Sequence, residues 1–292
     1  MIDNKFIELL KSDKTIVSDG ATGSNLFKRG LAKGPAEIWV LEEPEKIIGL
    51  HRDFIDSGAD IILTCTFGGT ALRLEQDGLG DKAVEINKRA VELAREAVEG
   101  TNVLVAGSIG PTGQLLKPLG MLDEDAAEKS FAGQAKTLIE SGVDLLVIET
   151  QFDLGEATQA IRGARSSKSI PLVCSFSYDR GTRTMMGVKP SQMAEVIGEL
   201  GVDVLGINCG HSLEDNFQAL EELRGATDLP IWFKPNAGLP TVDGDDKPIY
   251  DTGPEAMGDL VPSWVQAGAK IIGGCCGTSP KHLHQIAINA KK

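Results

Sequence analysis

The sequence predicts a single (β/α)8 barrel over residues 1–292, and three observations carry that expectation. Short apolar runs rich in β-branched residues recur eight times, with segments of helical spacing between them. Near-continuous apolar runs are what strands buried on both faces look like. Four junctions share one form: Ser57-Gly58-Ala59-Asp60, Ser141-Gly142-Val143-Asp144, Leu200-Gly201-Val202-Asp203 and Ala267-Gly268-Ala269-Lys270. In each, a glycine ends a helix where a left-handed residue is wanted and a strand begins. Finally, no Gly-x-Gly-x-x-Gly fingerprint follows the first run. That absence counts against the open, doubly wound alternative.

In order, the strands are expected at residues 15–18, 60–64, 103–106, 144–148, 171–176, 202–207, 231–233 and 269–272. Helices are expected over Glu45–Ser57, Lys82–Val98, Glu124–Ser141, Leu154–Ser166, Ser191–Leu200, Leu213–Arg224, Pro254–Ala267 and Pro280–Ala290. The second places Val84, Val91, Ala94 and Val98 on one stripe, as an amphipathic helix requires. Met1 to Lys11 reads as a mixed polar helix, and Gly238 to Asp251 as the one long, turn-rich loop.

Composition narrows the function classes. The chain has 292 residues, 41% hydrophobic and 24% charged, with a net charge of -13. Such a balance argues against nucleic acid and anionic membrane as partners, because phosphate binding needs clustered lysine and arginine. Five cysteines without regular spacing do not suit a secreted disulfide scaffold. No signal-peptide core or bilayer-length apolar run is present, so a cytoplasmic setting is expected.

In a barrel of this kind the chemistry sits at the C-terminal ends of the strands. Asp19, Thr66, Ser108, Glu149, Asn208, Cys209, Lys234, Asn236, Cys275 and Cys276 all fall there. Cys275 and Cys276 close the eighth run within Gly273-Gly274-Cys275-Cys276-Gly277, and Cys209 closes the sixth within Asn208-Cys209-Gly210. Adjacent side chains on a strand point to opposite faces, so two neighbouring thiols converge only beyond the strand end. A disulfide between neighbours would be strained. For any one of these cysteines, packing as a small hydrophobe is the plainer reading. The trio at two glycine-flanked strand ends favours Zn2+, whose catalytic sites keep three protein ligands and an open position. Cys65 and Cys174 read as packing residues. His51, His282 and His284 read as surface or interhelical, and His211 as a cap of the following helix.

These motifs resemble the homocysteine S-methyltransferase family. The likeness rests on Asp19-Gly20-Ala21-Thr22-Gly23, Thr64-Cys65-Thr66-Phe67, Gly107-Ser108-Ile109-Gly110-Pro111, Ile148-Glu149-Thr150, Gly206-Ile207-Asn208-Cys209, Lys234-Pro235-Asn236-Ala237-Gly238 and Gly273-Gly274-Cys275-Cys276-Gly277, and covers nearly the whole chain. The resemblance implies zinc held by Cys209, Cys275 and Cys276. It implies methyl transfer from an activated donor to a homocysteine thiolate in the open position, giving methionine. It also implies that Glu149 holds the substrate ammonium, while Asp19, Thr66 and Ser108 help place its carboxylate and backbone.

The donor is read from absences. Gly68, Gly69 and Thr150 stand where relatives using betaine build an aromatic cage, with Trp39, Phe67 and Phe152 as partial substitutes. The motif set looks closest to the homocysteine module of cobalamin-dependent methionine synthases. The expected donor is therefore methylcobalamin carried by a separate protein, with a small onium compound as the alternative. Two rival classes stand beside this reading: a barrel lyase forming a Schiff base on Lys234, and a non-catalytic zinc- or thiol-binding barrel.

Overall fold

The computed structural model describes residues 4–31, 34–242 and 248–291. Among them are the strands β1 (Ile16–Val17), β2 (Ile61–Leu63), β3 (Leu104–Ile109), β4 (Leu145–Gln151), β5 (Leu172–Phe176), β6 (Val204–Cys209), β7 (Ile231–Pro235), β8 (Pro240–Val242), β9 (Pro248–Tyr250) and β10 (Ala269–Ile272). Eight of these form one sheet in the order β1-β10-β7-β6-β5-β4-β3-β2, with every pairing parallel. The two edges meet through a parallel bridge between Ser18 and Ile61, which nearly closes the barrel. Strands β8 and β9 make a separate antiparallel pair within the long loop expected after the seventh run. Residues 243–247 of that loop lie outside the described residues.

Helices alternate with the strands as the periodicity requires. They are α1 (Lys5–Lys11), α2 (Gly23–Lys28), α3 (Trp39–Glu42), α4 (Pro44–Asp56), α5 (Ala71–Glu75), α6 (Ala83–Ala97), α7 (Glu124–Ser141), α8 (Leu154–Arg165), α9 (Pro190–Gly198), α10 (Leu213–Ala226), α11 (Pro254–Gln266) and α12 (Pro280–Ala290). The short α2, α3 and α5 were not expected. They sit in connections whose apolar residues are too few for a readable stripe.

The glycine junctions do what local sterics demand. Gly58, Gly142, Gly201 and Gly268 all have positive φ, between 74° and 101°. The aspartates two residues on serve the neighbouring strand. Asp60, Asp144 and Asp203 each accept a backbone N–H at 2.8 Å, from Val17, Val105 and Leu172 respectively. At the fourth junction Lys270 works in the opposite sense, donating to the Ser12 and Lys14 carbonyls. The repeated motif thus ends a helix and locks the register of the strand beside it.

Alternation along each strand divides the core in two. Ile16, Ile61, Leu63, Leu104, Ala106, Leu145, Val147, Val173, Val204, Trp232 and Ile271 fill the barrel interior. Their immediate neighbours, such as Ile62, Val105, Leu146, Leu205 and Phe233, face the helical ring. Helix α1 is more than a polar leader. Phe6 is fully buried in the interior cluster, with Ile7, Leu9 and Leu10 packed against it. Asn4, its N-cap, donates to the Asp144 carbonyl at the start of β4, so α1 plugs the end of the barrel opposite the mouth.

Candidate metal and substrate site

The inward parity that builds the apolar interior also places the polar residues of the mouth. Continuing 104, 106 along β3 gives Ser108, and 145, 147 along β4 gives Glu149. Likewise 173 leads to Ser175, 204 to Asn208, and 232 to Lys234. These five side chains form the layer above the apolar core, and all are buried. Buried polar groups need partners, and these have them. Ser108 Oγ donates to Glu149 Oε1 at 2.5 Å. Lys234 Nζ donates to Asp19 Oδ1 at 2.6 Å, and the other Asp19 oxygen accepts from the Leu63 N–H at 2.8 Å. Asn208 Oδ1 accepts from Thr150 N–H and Ser175 Oγ, which turns its amide Nδ2 toward Thr150 Oγ1 and Cys275 Sγ.

The three thiols converge just past the strand ends. Cys209 holds a φ of 61°, in the left-handed region that non-glycine residues rarely visit, as does Thr150 opposite it. Asn216 Nδ2 pins the Cys209 carbonyl at 2.7 Å. Cys275 N–H donates to the Pro235 carbonyl at 2.8 Å, and the Cys276 carbonyl accepts from Ala237 N–H at 2.9 Å. The sulfur atoms of Cys209, Cys275 and Cys276 all lie within 4.8 Å of one another, and each residue is half-buried. Hydrogen bonding among the thiols is the largest influence on each, lowering in some directions and raising in others. Burial and mutual repulsion add to it, and the net result lies above the ordinary thiol range for all three, with Cys209 and Cys276 pushed up to about 12. Without a counter-cation this cluster keeps its protons. A soft dication would displace them, as thiolate ligands require.

A cavity of about 350 Å³ opens above the cluster. Thr66, Ser108, Glu149, Lys234 and the three cysteines line it. Asp19 does not. It lies one layer down, with both oxygens already engaged by Lys234 and Leu63. Thr66 contributes mainly shape, since its hydroxyl donates to the Ser108 carbonyl at 2.7 Å. Burial raises the Glu149 carboxyl above its ordinary range, and the Lys234 ammonium and the Ser108 hydroxyl only partly offset it. Burial tends to lower Lys234, but Asp19 and Glu149 overcome it and hold the ammonium above its usual range. A lysine held protonated is a poor nucleophile, which argues against the Schiff-base lyase.

Of the aromatic substitutes weighed for a donor cage, only Phe67 lines the cavity. Trp39 is buried beneath Lys46. Gly68 lines the mouth, but Gly69 does not. A Cβ at Gly69 would sit 2.6 Å from Asn87 Oδ1 and 2.7 Å from Gln134 Nε2, so an amide network behind the loop requires that glycine. Its place in the sequence says nothing about a donor. His51 is buried within α4, compatible with an interhelical place, whereas the N-cap of α10 is Ser212 rather than His211. His282 joins Ser279 to the Thr252 carbonyl. Cys65 and Cys174 are buried packing residues, as expected.

Two residues at the mouth carried no sequence signal. Glu37, in a short 3-10 turn at Ala36–Ile38, is buried, lines the cavity and accepts the Gly68 N–H at 2.6 Å. Burial raises its carboxyl. Tyr250, from β9, packs its ring against Gly277, next to Cys276 in the chain. Both come from irregular connections, where no periodicity tells which way a side chain points.

Comparison with known proteins agrees with the fold. The profile described as homocysteine S-methyltransferase matches residues 16–290. Methionine synthase from Mycobacterium leprae (strain TN) is 27% identical over 98% of this chain, and that of Mycobacterium tuberculosis (strain ATCC 25618 / H37Rv) is 26% identical over 98%. The chain spans about a quarter (25%) of the length of those relatives. The metallated form of the homocysteine methyltransferase MmuM from Escherichia coli superposes with a TM-score of 0.83 at 27% identity, covering 98% of this chain and 99% of that one. A 3-dehydroquinate dehydratase from Geobacillus kaustophilus HTA426 shares the fold alone, at 12% identity, with a TM-score of 0.52 over 95% of this chain and 91% of that one.

Proposed function

The chain belongs to the homocysteine S-methyltransferase family, and on that premise we propose that it is a zinc-dependent enzyme methylating homocysteine at the mouth formed by Cys209, Cys275 and Cys276. The observation that carries the proposal is the convergence of three sulfur atoms within 4.8 Å at an open cavity. The donor set fits the metal: three thiolates suit zinc. Beside them, Asn236 Oδ1 is buried without a hydrogen-bond partner among the described residues. Bound there, zinc would supply a deprotonated and oriented substrate sulfur at neutral pH.

The chain's own residues do the rest. Glu149 holds the homocysteine ammonium, the role its position on the cavity wall allows. Ser108 orients that carboxylate through its 2.5 Å hydrogen bond, and the Lys234 charge favours its ionised form against the pull of burial. Asp19 acts through Lys234 and not by touching substrate. Thr66 shapes the wall beside Ser108. In the transfer, a bond forms between the homocysteine sulfur and the methyl carbon, and the donor leaves with the electron pair. The products are methionine and the demethylated donor.

For the donor, the mouth favours methylcobalamin delivered by a separate protein. Among the described residues Phe67 is the one aromatic on the cavity wall, too little for a cation cage. A small onium donor is the alternative. We take residues 1–292 as one homocysteine-binding barrel domain acting in a cytoplasmic setting. No helix among the described residues is long and apolar enough to cross a membrane. The test is methionine formation from homocysteine with a panel of donors: a methylated corrinoid protein, betaine and S-methylmethionine. Turnover with the corrinoid alone supports the reading. Efficient turnover with a small onium donor and no cobalamin overturns the donor assignment. No turnover with any donor, in protein that binds zinc, leaves the thiol-binding barrel.

A further inference from the structure

Asn208 is tied to two of the clustered cysteines. It precedes Cys209 in β6, it is fully buried, and its amide Nδ2 donates to Cys275 Sγ at 3.8 Å. The rest of that amide is engaged as well. Oδ1 accepts from the Thr150 N–H at 2.8 Å and from Ser175 Oγ at 2.6 Å, while Nδ2 also donates to Thr150 Oγ1 at 2.7 Å. A backbone N–H can only donate, so its contact with Asn208 fixes which end of the amide is oxygen. The nitrogen then has to face Cys275. This lock has a conformational cost. Thr150 holds a φ of 61°, where a β-branched residue is an outlier. In that conformation it offers Asn208 both a donor and an acceptor, its own N–H and Oγ1. Strain of this kind persists only where the surroundings over-determine it, and it collects at functional sites.

We propose that Asn208, locked by Thr150, is a positioning residue that presents Cys275 to the metal as a thiolate. The inference rests on the zinc reading above. Three thiolates more than neutralise a zinc ion, and a substrate thiolate adds a further negative charge. Negative charge in a half-buried site needs hydrogen-bond donors aimed at it. An N–H pointed at sulfur favours the deprotonated ligand, because a hydrogen bond to an ionised acceptor is the stronger one. Groups that hydrogen-bond to metal ligands orient them and set much of the affinity. Asparagine suits both ends of this arrangement. Aspartate in its place would keep the acceptor for Thr150 and Ser175 but turn a second carboxylate oxygen toward the sulfur.

The test measures zinc affinity by competition with a chromogenic chelator, with circular dichroism on the same samples to read folding. Asn208→Asp should bind zinc at least about tenfold more weakly, the range expected on losing a group that supports a metal ligand. Thr150→Val keeps the side-chain shape and removes the Oγ1 acceptor. It should weaken zinc binding about threefold, the effect of one hydrogen bond, whereas Thr150→Ser restores the hydroxyl and should bind as the unaltered protein does. A merely structural role for Thr150 would not follow the hydroxyl in this way. Unchanged zinc affinity in folded Asn208→Asp would overturn the inference and leave the metal reading standing. Should Asn208→Asp fail to fold, the Thr150 pair decides. Unaltered affinity in Thr150→Val, or an equal loss in Thr150→Val and Thr150→Ser, would overturn the inference. Unaltered protein that binds no zinc would overturn the metal reading itself, and this inference with it.

Discussion

Lys234 Nζ lies 2.6 Å from Asp19 Oδ1, and the two side chains are only 3% and 1% exposed. This pair joins the end of β1 to β7 beneath the mouth, across 215 residues of sequence. A buried ion pair adds little stability over an apolar replacement, yet breaking one is severe because a charge is left uncompensated. Lys234→Met should therefore destabilise the fold by about 3–5 kcal/mol, read as a lower urea midpoint. The double variant Asp19→Asn/Lys234→Met should recover a large part of that loss. Simple additivity of the two single changes would mean that the pair is not coupled as its geometry implies.

Removing a thiol should remove the metal. Purified protein is expected to hold about one zinc per chain, lost on replacing Cys209, Cys275 or Cys276 with alanine, because two thiolates are too few for tight binding. The fold should survive, since the apolar interior lies below the mouth. Zinc analysis beside far-ultraviolet circular dichroism separates the two effects. Undiminished zinc in all three variants would exclude this cluster as the metal site.

Glu149→Gln should raise the KM for homocysteine by at least about tenfold, the effect of losing one charge-assisted contact. Zinc content should not change, because Glu149 meets Ser108 and Lys234 and is not one of the clustered thiols. Steady-state kinetics with homocysteine varied is the measurement. An unaltered KM would show that another group holds the ammonium.

His51 should make stability sensitive to acid. Burial lowers it from an ordinary 6.5 to about 4, and its Nε2 has no hydrogen-bond partner among the described residues. Between those values the unfolded chain binds a proton that the folded chain refuses. This contribution is therefore complete above the unfolded value and is lost as pH falls toward the folded one. The loss amounts to roughly 3 kcal/mol at most. His51→Leu should flatten the difference in unfolding free energy between pH 7 and pH 4.5. An identical acid slope in the variant would place the sensitivity in other groups.

The chain by itself determined the barrel and the approximate ends of its strands. Both follow from local requirements that leave marks in sequence: an apolar run where a strand is buried on two faces, and a glycine where a helix must end left-handed. It also determined that Cys209, Cys275 and Cys276 stand at strand ends, because flanking glycines and strand termini are written consecutively. What the tertiary structure decided is which side chains meet. Asp19 stands behind Lys234 and not in the cavity, Gly69 makes room for an amide pair and not for a donor, and from connections without periodicity Glu37 reaches the mouth and Tyr250 packs on Gly277. Those relationships join residues far apart in sequence, and only closure of the barrel, which sets strand register and the aim of each loop, brings them within bonding distance.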